Sequence, residues 1–206
     1  MTDFIAIGDI HGMYGLLLEL LTKLPSDGTL VFLGDYVDRG LDSKWVVARL
    51  MALEQQRKCI FLRGNHEAMM LSAMDGEPGA QELWVANGGS ATIESYHLHI
   101  PDEHLAFLRA TLPFYETDDY IFVHGGLVPG QLPEETESDD LWWMREPFLS
   151  SDHDWGKLVI HGHTPMLRGK PDIHPNRINI DTGAVYGGPL TALLLPERTF
   201  LVTRRP

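Results

Sequence analysis

Cysteine occurs once, at Cys59, which excludes an internal disulfide framework and suits a reducing, cytoplasmic compartment. No uninterrupted apolar run is long enough to cross a bilayer. Met1-Thr2-Asp3 lacks the basic region of a signal peptide, and an apolar run follows at once. Basic residues are also scarce: 16 Lys and Arg face 29 Asp and Glu, giving a formal net charge of −13. Nucleic acid and anionic membrane both depend on basic surface for attraction, so neither is expected as a partner. A phosphate remains compatible with this acidity where local cations, such as metal ions, override the global field.

What is present is core material. The chain is 44% hydrophobic and holds five tryptophans in 206 residues, enough for one domain spanning 1–206 with a substantial core. Short apolar runs of the buried-strand kind recur at Phe4–Gly8, Leu30–Leu33 and Cys59–Leu62. Between the first two, Leu16, Leu17, Leu20, Leu21 and Leu24 repeat with helical spacing. Between the next two, Val46, Val47, Leu50 and Met51 do the same, after Asp42 or Ser43 as N-cap. Residues 67–109 read as helices and loops, with Pro101-Asp102-Glu103 as a helix start. Strands return at Tyr120–Val123, Leu158–Ile160 and Ile178–Ile180, then as a hairpin at Leu190–Leu195 and Thr199–Val202. Gln131–Asp140 reads as an acidic, solvated connection. Alternating strands and helices predict an α/β layered fold.

The strand runs share an ending. The first leads into Gly8-Asp9-Ile10-His11-Gly12, the second into Gly34-Asp35-Tyr36-Val37-Asp38-Arg39-Gly40, and the third into Arg63-Gly64-Asn65-His66-Glu67. Ile121-Phe122-Val123 runs into His124-Gly125-Gly126, and Leu158-Val159-Ile160 into His161-Gly162-His163-Thr164-Pro165. One such ending is often only a turn or a helix cap. Repeated, they would converge polar side chains on one rim, because open α/β sheets bind ligands beyond the carboxyl ends of their strands.

These side chains offer oxygen and imidazole nitrogen without thiolate, a set suited to Mn, Fe or Zn rather than to a structural zinc finger. Asp9 and His11 can face one ion, Asp35 can bridge two, and Asn65, His124 and His163 would complete the shell of the second ion. Two cations roughly 3.5–4 Å apart lower the pKa of a shared water and clamp a phosphoryl group for in-line displacement.

In this order GDIHG, GDYVDRG, RGNHE, HGG and GHTP resemble the phosphoprotein phosphatase branch of the calcineurin-like metallophosphoesterases, most of all its compact bacterial and lambda-type phage members. Residues 178–190, read as INIDTGAVYGGPL, resemble the family's last block. The resemblance implies a sandwich of two β-sheets flanked by helices, in α/β/β/α layers. It also implies two divalent metal ions, foremost Mn²⁺ with Fe or Zn as alternatives, and hydrolysis of phosphomonoesters by a metal-bridging hydroxide. The substrates implied are phosphorylated proteins (phosphoserine or phosphothreonine, with phosphotyrosine open) or small phosphomonoesters.

Carried onto matching positions, the resemblance makes Asp9, His11, Asp35, Asn65, His124 and His163 metal ligands. Arg39 and Arg63 become phosphate clamps, and His66, oriented by Asp38, the acid for the leaving group. Arg145 resembles a third phosphate-binding arginine or is an exposed helix residue. Tyr186 is either an active-site tyrosine or a packed one, and His161 either supports a ligand or simply ends a strand. Trp84 and Asn87-Gly88-Gly89 resemble a helix–turn block near the catalytic face, or are a core tryptophan beside a helix-ending glycine. His97, His99, His104, His153 and His174 read as surface histidines, and Cys59 as a buried apolar residue.

A dinucleoside tetraphosphate hydrolase is the main alternative of the same fold. Asp38 and Glu67 of GDYVDRG and GNHE disfavour it, and Pro165 disfavours a nuclease or cyclic phosphodiesterase. The alternative of another class is an inactive phosphopeptide- or metal-binding module.

Overall fold

In the computed structural model, which describes residues 2–204, the strands divide into two five-stranded mixed sheets. In the first sheet β1 (Phe4–Ile7), β2 (Thr29–Phe32) and β3 (Cys59–Phe61) run parallel. The second sheet holds β4 (Phe114–Glu116), β5 (Tyr120–Val123), β6 (Leu158–His161), β7 (Asp172–Ile173) and β8 (Arg177–Asn179) in the order β4-β5-β6-β8-β7. The chain then returns to the first sheet as the hairpin β9 (Thr191–Leu195) and β10 (Thr199–Val202), with β9 antiparallel to β1. Neither β4 nor β7 is among the expected strands. At three and two residues they are too short for an alternation to register.

Side-chain alternation sorts the core into layers. Ala6, Val31 and Leu193 face Phe122, Ile160 and Ile178 across the space between the sheets. Their neighbours Ile5, Ile7, Leu30 and Phe32 point the other way, under the helices of the first sheet. Ile121, Val123 and Val159 do the same on the outer face of the second sheet, against Leu127, Leu141 and Phe148. This is the two-sheet sandwich with flanking helices that the resemblance implied.

The first sheet is covered by α1 (Tyr14–Leu21), α2 (Ser43–Glu54), α3 (Asn65–Met74), α4 (Ala80–Trp84), α5 (Ser90–Ser95) and α6 (Asp102–Arg109). A short widened turn, Val85–Gly89, joins α4 to α5 with a kink at Gly88. Over the second sheet lies α7 (Ser138–Trp143), so the expected loop Gln131–Asp140 in fact contains a 3-10 turn (Pro133–Glu135) and the start of a helix. No helix among the described residues is long and apolar enough to cross a membrane.

Two further expectations are corrected here. His104 is buried, with its Nδ1 2.8 Å from the Tyr96 hydroxyl, because α6 turns it inward. Cys59 is half-buried rather than fully enclosed, since β3 forms an edge of its sheet.

Candidate active site

Parallel pairing puts the carboxyl ends of β1, β2 and β3 side by side, and those of β5 and β6 likewise. Within each sheet, neighbouring loops are then tied together by backbone hydrogen bonds. The amides of Ile10 and His11 donate to the Asp35 carbonyl at 3.0 and 2.8 Å, and Gly162 donates to the His124 carbonyl at 2.9 Å. Asp9, His11, Asp35, Asn65, His66, His124 and His163 are all buried at this seam.

The local backbone is bent to bring them there. His11, Asp35, Asp38, Arg39 and His163 have φ of 45°, 52°, 72°, 68° and 66°, the left-handed region that L residues avoid. Such concentrated strain persists only where surrounding contacts over-determine it. Glu67 supplies many of those contacts. Its carboxylate accepts the amides of Asp35 (2.8 Å), Tyr36 (2.7 Å), Val37 (3.3 Å) and Gly64 (3.0 Å).

Tautomers decide what the cluster can hold. His124 Nδ1 lies 2.9 Å from the Leu33 carbonyl, and His11 Nδ1 lies 2.9 Å from that of Val37. A carbonyl only accepts, so both Nδ1 atoms carry the proton and each Nε2 lone pair turns inward. There His124 Nε2 meets Asn65 Oδ1 at 3.0 Å and Asp35 Oδ1 at 3.3 Å, while His11 Nε2 meets Asp35 Oδ2 at 3.3 Å. Asn65 Oδ1 is also 2.9 Å from His163 Nδ1. Lone pairs converging this way need a cation among them, whether a proton or a metal. Without metal the proton serves: burial would lower His124, but the charge and hydrogen bond of Asp35, together with the charges of Asp9 and Glu67, outweigh it and push the imidazole up to about 10. Asp35 is held well below the usual carboxylate range, against burial, by His124, His66 and His11.

Among the described residues, two groups have donor atoms all within 4.8 Å of one another: His11, Asp35 and His66, and Asp35, His124 and His163. Asp35 belongs to both. Oxygen and imidazole donors with inward lone pairs and one shared carboxylate fit a pair of divalent cations. Asp9 stands slightly apart, its Oδ2 accepting the His163 amide at 3.0 Å. Burial and the neighbouring Asp181 push its carboxyl well above the usual range, a repulsion that a cation would relieve.

His66 is placed differently from the other imidazoles. Its Nδ1 is 2.7 Å from Asp38 Oδ2, and its Nε2 is buried without a partner. Of the arginines, Arg39 reaches the cluster, Nη1 2.6 Å from His11 Nε2, with Tyr186 5.6 Å from its guanidinium. Tyr186 is 53% exposed, which settles against a packed tyrosine. Arg63 turns aside, donating to the Arg109 carbonyl (2.7 Å) and Thr111 Oγ1 (3.1 Å). Arg145 is exposed just beyond α7, near enough that its charge adds to burial in lowering His163. His161 is buried within β6 with Nε2 unpartnered, and burial pushes it down to about 3.

The sequence profile of the calcineurin-like phosphoesterases matches residues 2–190. The chain belongs to the calcineurin-like phosphoesterase family. It is thus a phosphoester hydrolase of a family that uses divalent metals. Among curated relatives, it is 28% identical to bis(5'-nucleosyl)-tetraphosphatase PrpE [asymmetrical] of Halalkalibacterium halodurans, over 97% of this chain and 92% of that one. It is 32% identical to serine/threonine-protein phosphatase 1 of Salmonella typhimurium, over 90% and 88% of the two chains. The solved structure of a provisionally assigned diadenosine tetraphosphatase superposes with a TM-score of 0.78 at 23% identity, covering 98% of this chain and 93% of the other. The branch within the calcineurin-like family is therefore not fixed by similarity, which reaches both substrate classes.

Sequence reasoning missed Glu67, Asp181 and Thr92, whose hydroxyl donates to Asp38 Oδ1 at 2.7 Å, as members of this site. Glu67 was the most legible, because a glutamate three residues past Gly64 has the spacing of a helix-start box. Ser43, read with Asp42 as a helix N-cap, instead turns its hydroxyl to the Asp38 amide at 3.1 Å, and Asp42 makes no side-chain cap.

Proposed function

We propose that this chain is a dimetal phosphomonoesterase acting on phosphorylated serine or threonine in proteins, with all 206 residues serving one catalytic domain. The observation that carries the reading is His66, anchored to Asp38 through Nδ1 at 2.7 Å with Nε2 left without a partner. An alkoxide is a poor leaving group and needs a proton as the P–O bond breaks, whereas a nucleotide leaving group is already a weak base. An anchored imidazole beside the donor cluster suits the first case better.

Asp9, His11 and Asp35 would hold one divalent cation, and Asp35, Asn65, His124 and His163 the other. Bound there, the pair supplies a nucleophilic water and neutralises charge on the phosphoryl oxygens. Arg39, one face on Tyr186, orients the phosphate by guanidinium hydrogen bonds. Arg63 and Arg145 would complete the clamp, Arg63 by leaving the Arg109 carbonyl to which it donates. His66 donates the proton from Nε2 while Asp38 holds the ring. Burial lowers the resting pKa of His66, and an incoming phosphate dianion raises it again.

Hydrolysis of dinucleoside tetraphosphate is the second reading, favoured by the PrpE relatives. The deciding experiment is a kcat/KM comparison, with Mn²⁺ supplied, across phosphoserine, phosphothreonine and phosphotyrosine peptides and a dinucleoside tetraphosphate. The leading reading expects phosphoserine or phosphothreonine peptides to exceed the dinucleotide by tenfold or more. The reverse order would replace it with the second.

A further inference from the structure

The structure assigns a function to the segment from Trp84 to Thr92: it is the positioning element of the His66–Asp38 pair, with Trp84 and Thr92 as its working residues. This rests on the acid role proposed for His66.

Asp38 is fully buried, and its carboxylate is surrounded by donors. Trp84 Nε1 donates to Oδ1 and Oδ2 at 2.9 and 3.0 Å, Thr92 Oγ1 donates to Oδ1 at 2.7 Å, and His66 Nδ1 approaches Oδ2 at 2.7 Å. The proton directions are forced. An indole nitrogen can only donate. The single hydroxyl proton of Thr92 goes to Asp38, so Thr92 Oγ1 must accept both the Asp38 amide at 2.8 Å and the Ser43 hydroxyl at 3.0 Å. Asp38 is thereby gripped by side chain and backbone from one segment. Oδ2 is left facing His66.

The sequence of the segment follows from these approaches. Trp84 is 1% exposed, and its ring lies against Gly89, where a Cβ would come within 2.7 Å of the indole. At Gly88 a φ of +105° turns the carbonyl onto the Arg39 amide at 3.1 Å, and a Cβ there would come 2.8 Å from Arg39 Cγ. Tryptophan followed by paired glycines and a threonine therefore supports two adjacent residues, Asp38 and Arg39, both in the left-handed region. A buried indole N–H needs an acceptor wherever it sits; here that acceptor is the carboxylate that holds His66, which ties the packing of Trp84 to the site. Without the indole N–H, Asp38 loses one of the donors that fix the orientation of its carboxylate, and the His66 ring loses a fixed partner. Proton delivery to the leaving group would suffer more than phosphate binding.

The test compares an alkyl phosphate of the phosphoserine type with an activated aryl phosphate, whose phenolate needs little protonation. Trp84→Phe keeps the ring and removes only the N–H. It is expected to lower kcat on the alkyl ester about 10- to 100-fold, at least tenfold more than on the aryl ester, with KM changed less than threefold. Thr92→Val should fall in the same direction, and Thr92→Ser, which keeps the hydroxyl, should restore the rate. Combining Trp84→Phe with His66→Asn should cost no more than His66→Asn alone, because both act on one proton transfer.

A second readout needs no turnover. In the metal-free protein the Trp84 indole N–H resonance should lie at low field and move upfield in Asp38→Asn. Equal losses on both esters, additivity with His66→Asn, or an indole resonance indifferent to Asp38→Asn would each overturn the assignment. If His66→Asn itself shows no dependence on the leaving group, the acid role falls and this inference with it. If His66→Asn shows that dependence and the Trp84 and Thr92 variants do not, only the positioning role falls. Should Trp84→Phe fail to fold, the Thr92→Val and Thr92→Ser pair decides.

Discussion

Glu67 Oε2 accepts the Asp35 amide at 2.8 Å, so the carboxylate of one strand-end motif fixes the loop of its neighbour. Both oxygens of Glu67 are used, Oε1 by Tyr36 and Val37 and Oε2 by Asp35 and Gly64. Glu67→Gln replaces one acceptor oxygen with an NH₂ that faces two amide donors. We expect it to destabilise the protein by about 2–4 kcal/mol in urea unfolding, as buried charged hydrogen-bond partners do when broken. It should also weaken Mn²⁺ retention. A loss under about 0.5 kcal/mol, typical of a neutral surface change, would remove Glu67 from the site.

Asp35 is common to both groups of donors. Protein stripped with a chelator should therefore gain thermal stability when Mn²⁺ is returned, by about 5–10 °C at a hundredfold excess over Kd. Asp35→Asn should abolish most of that gain. An unchanged melting temperature in the parent protein on adding Mn²⁺ would contradict the metal assignment.

Arg63 is predicted to matter twice. Its guanidinium caps the carbonyl of Arg109 at the end of α6 and lies 5.5 Å from the Trp142 ring. Arg63→Ala should cost about 1–2 kcal/mol of stability through the lost hydrogen bonds, and also lower kcat/KM. Calorimetry and steady-state kinetics on the same variant separate the two effects. A fall in activity with stability intact would mean the carbonyl contacts contribute nothing.

Burial pushes the Cys59 thiol up to about 11, from an ordinary value of 9.0. At pH 8 only ~0.1% is thiolate, the form that reacts. Iodoacetamide should then modify the native protein about a hundredfold more slowly than the urea-unfolded chain. The sign for stability follows: the raised folded value leaves stability unaffected below pH 9 and lowers it as pH climbs from 9 toward 11. Rapid labelling of native protein at pH 8 would contradict the raised value.

How much of this was legible depends on whether a residue speaks through its neighbours in sequence or in space. Asp9, His11, Asp35, Asn65, His124 and His163 each follow an apolar run, so periodicity located the strand end and chemistry supplied the donor. The outer strands β4 and β7 carry no such signal, because two or three residues cannot display alternation. Trp84 was visible as part of a block, but its hydrogen bond to Asp38 spans 46 positions, and no local rule connects them. His104 was misjudged for a related reason: polar neighbours suggested solvent, whereas Tyr96 provides a partner inside. Arg63 matched its motif by position, yet the end of α6 draws its guanidinium aside.

The proposed donors come from both halves of the sandwich: Asp9, His11, Asp35 and Asn65 from the first sheet's strand ends, His124 and His163 from the second's. An ion held by such a set would work as a rivet through two plates. Sliding or parting the plates would then mean ejecting it, and departure of the ion would become the gate to unfolding. Loss of activity and loss of structural endurance under chelation should then share one clock.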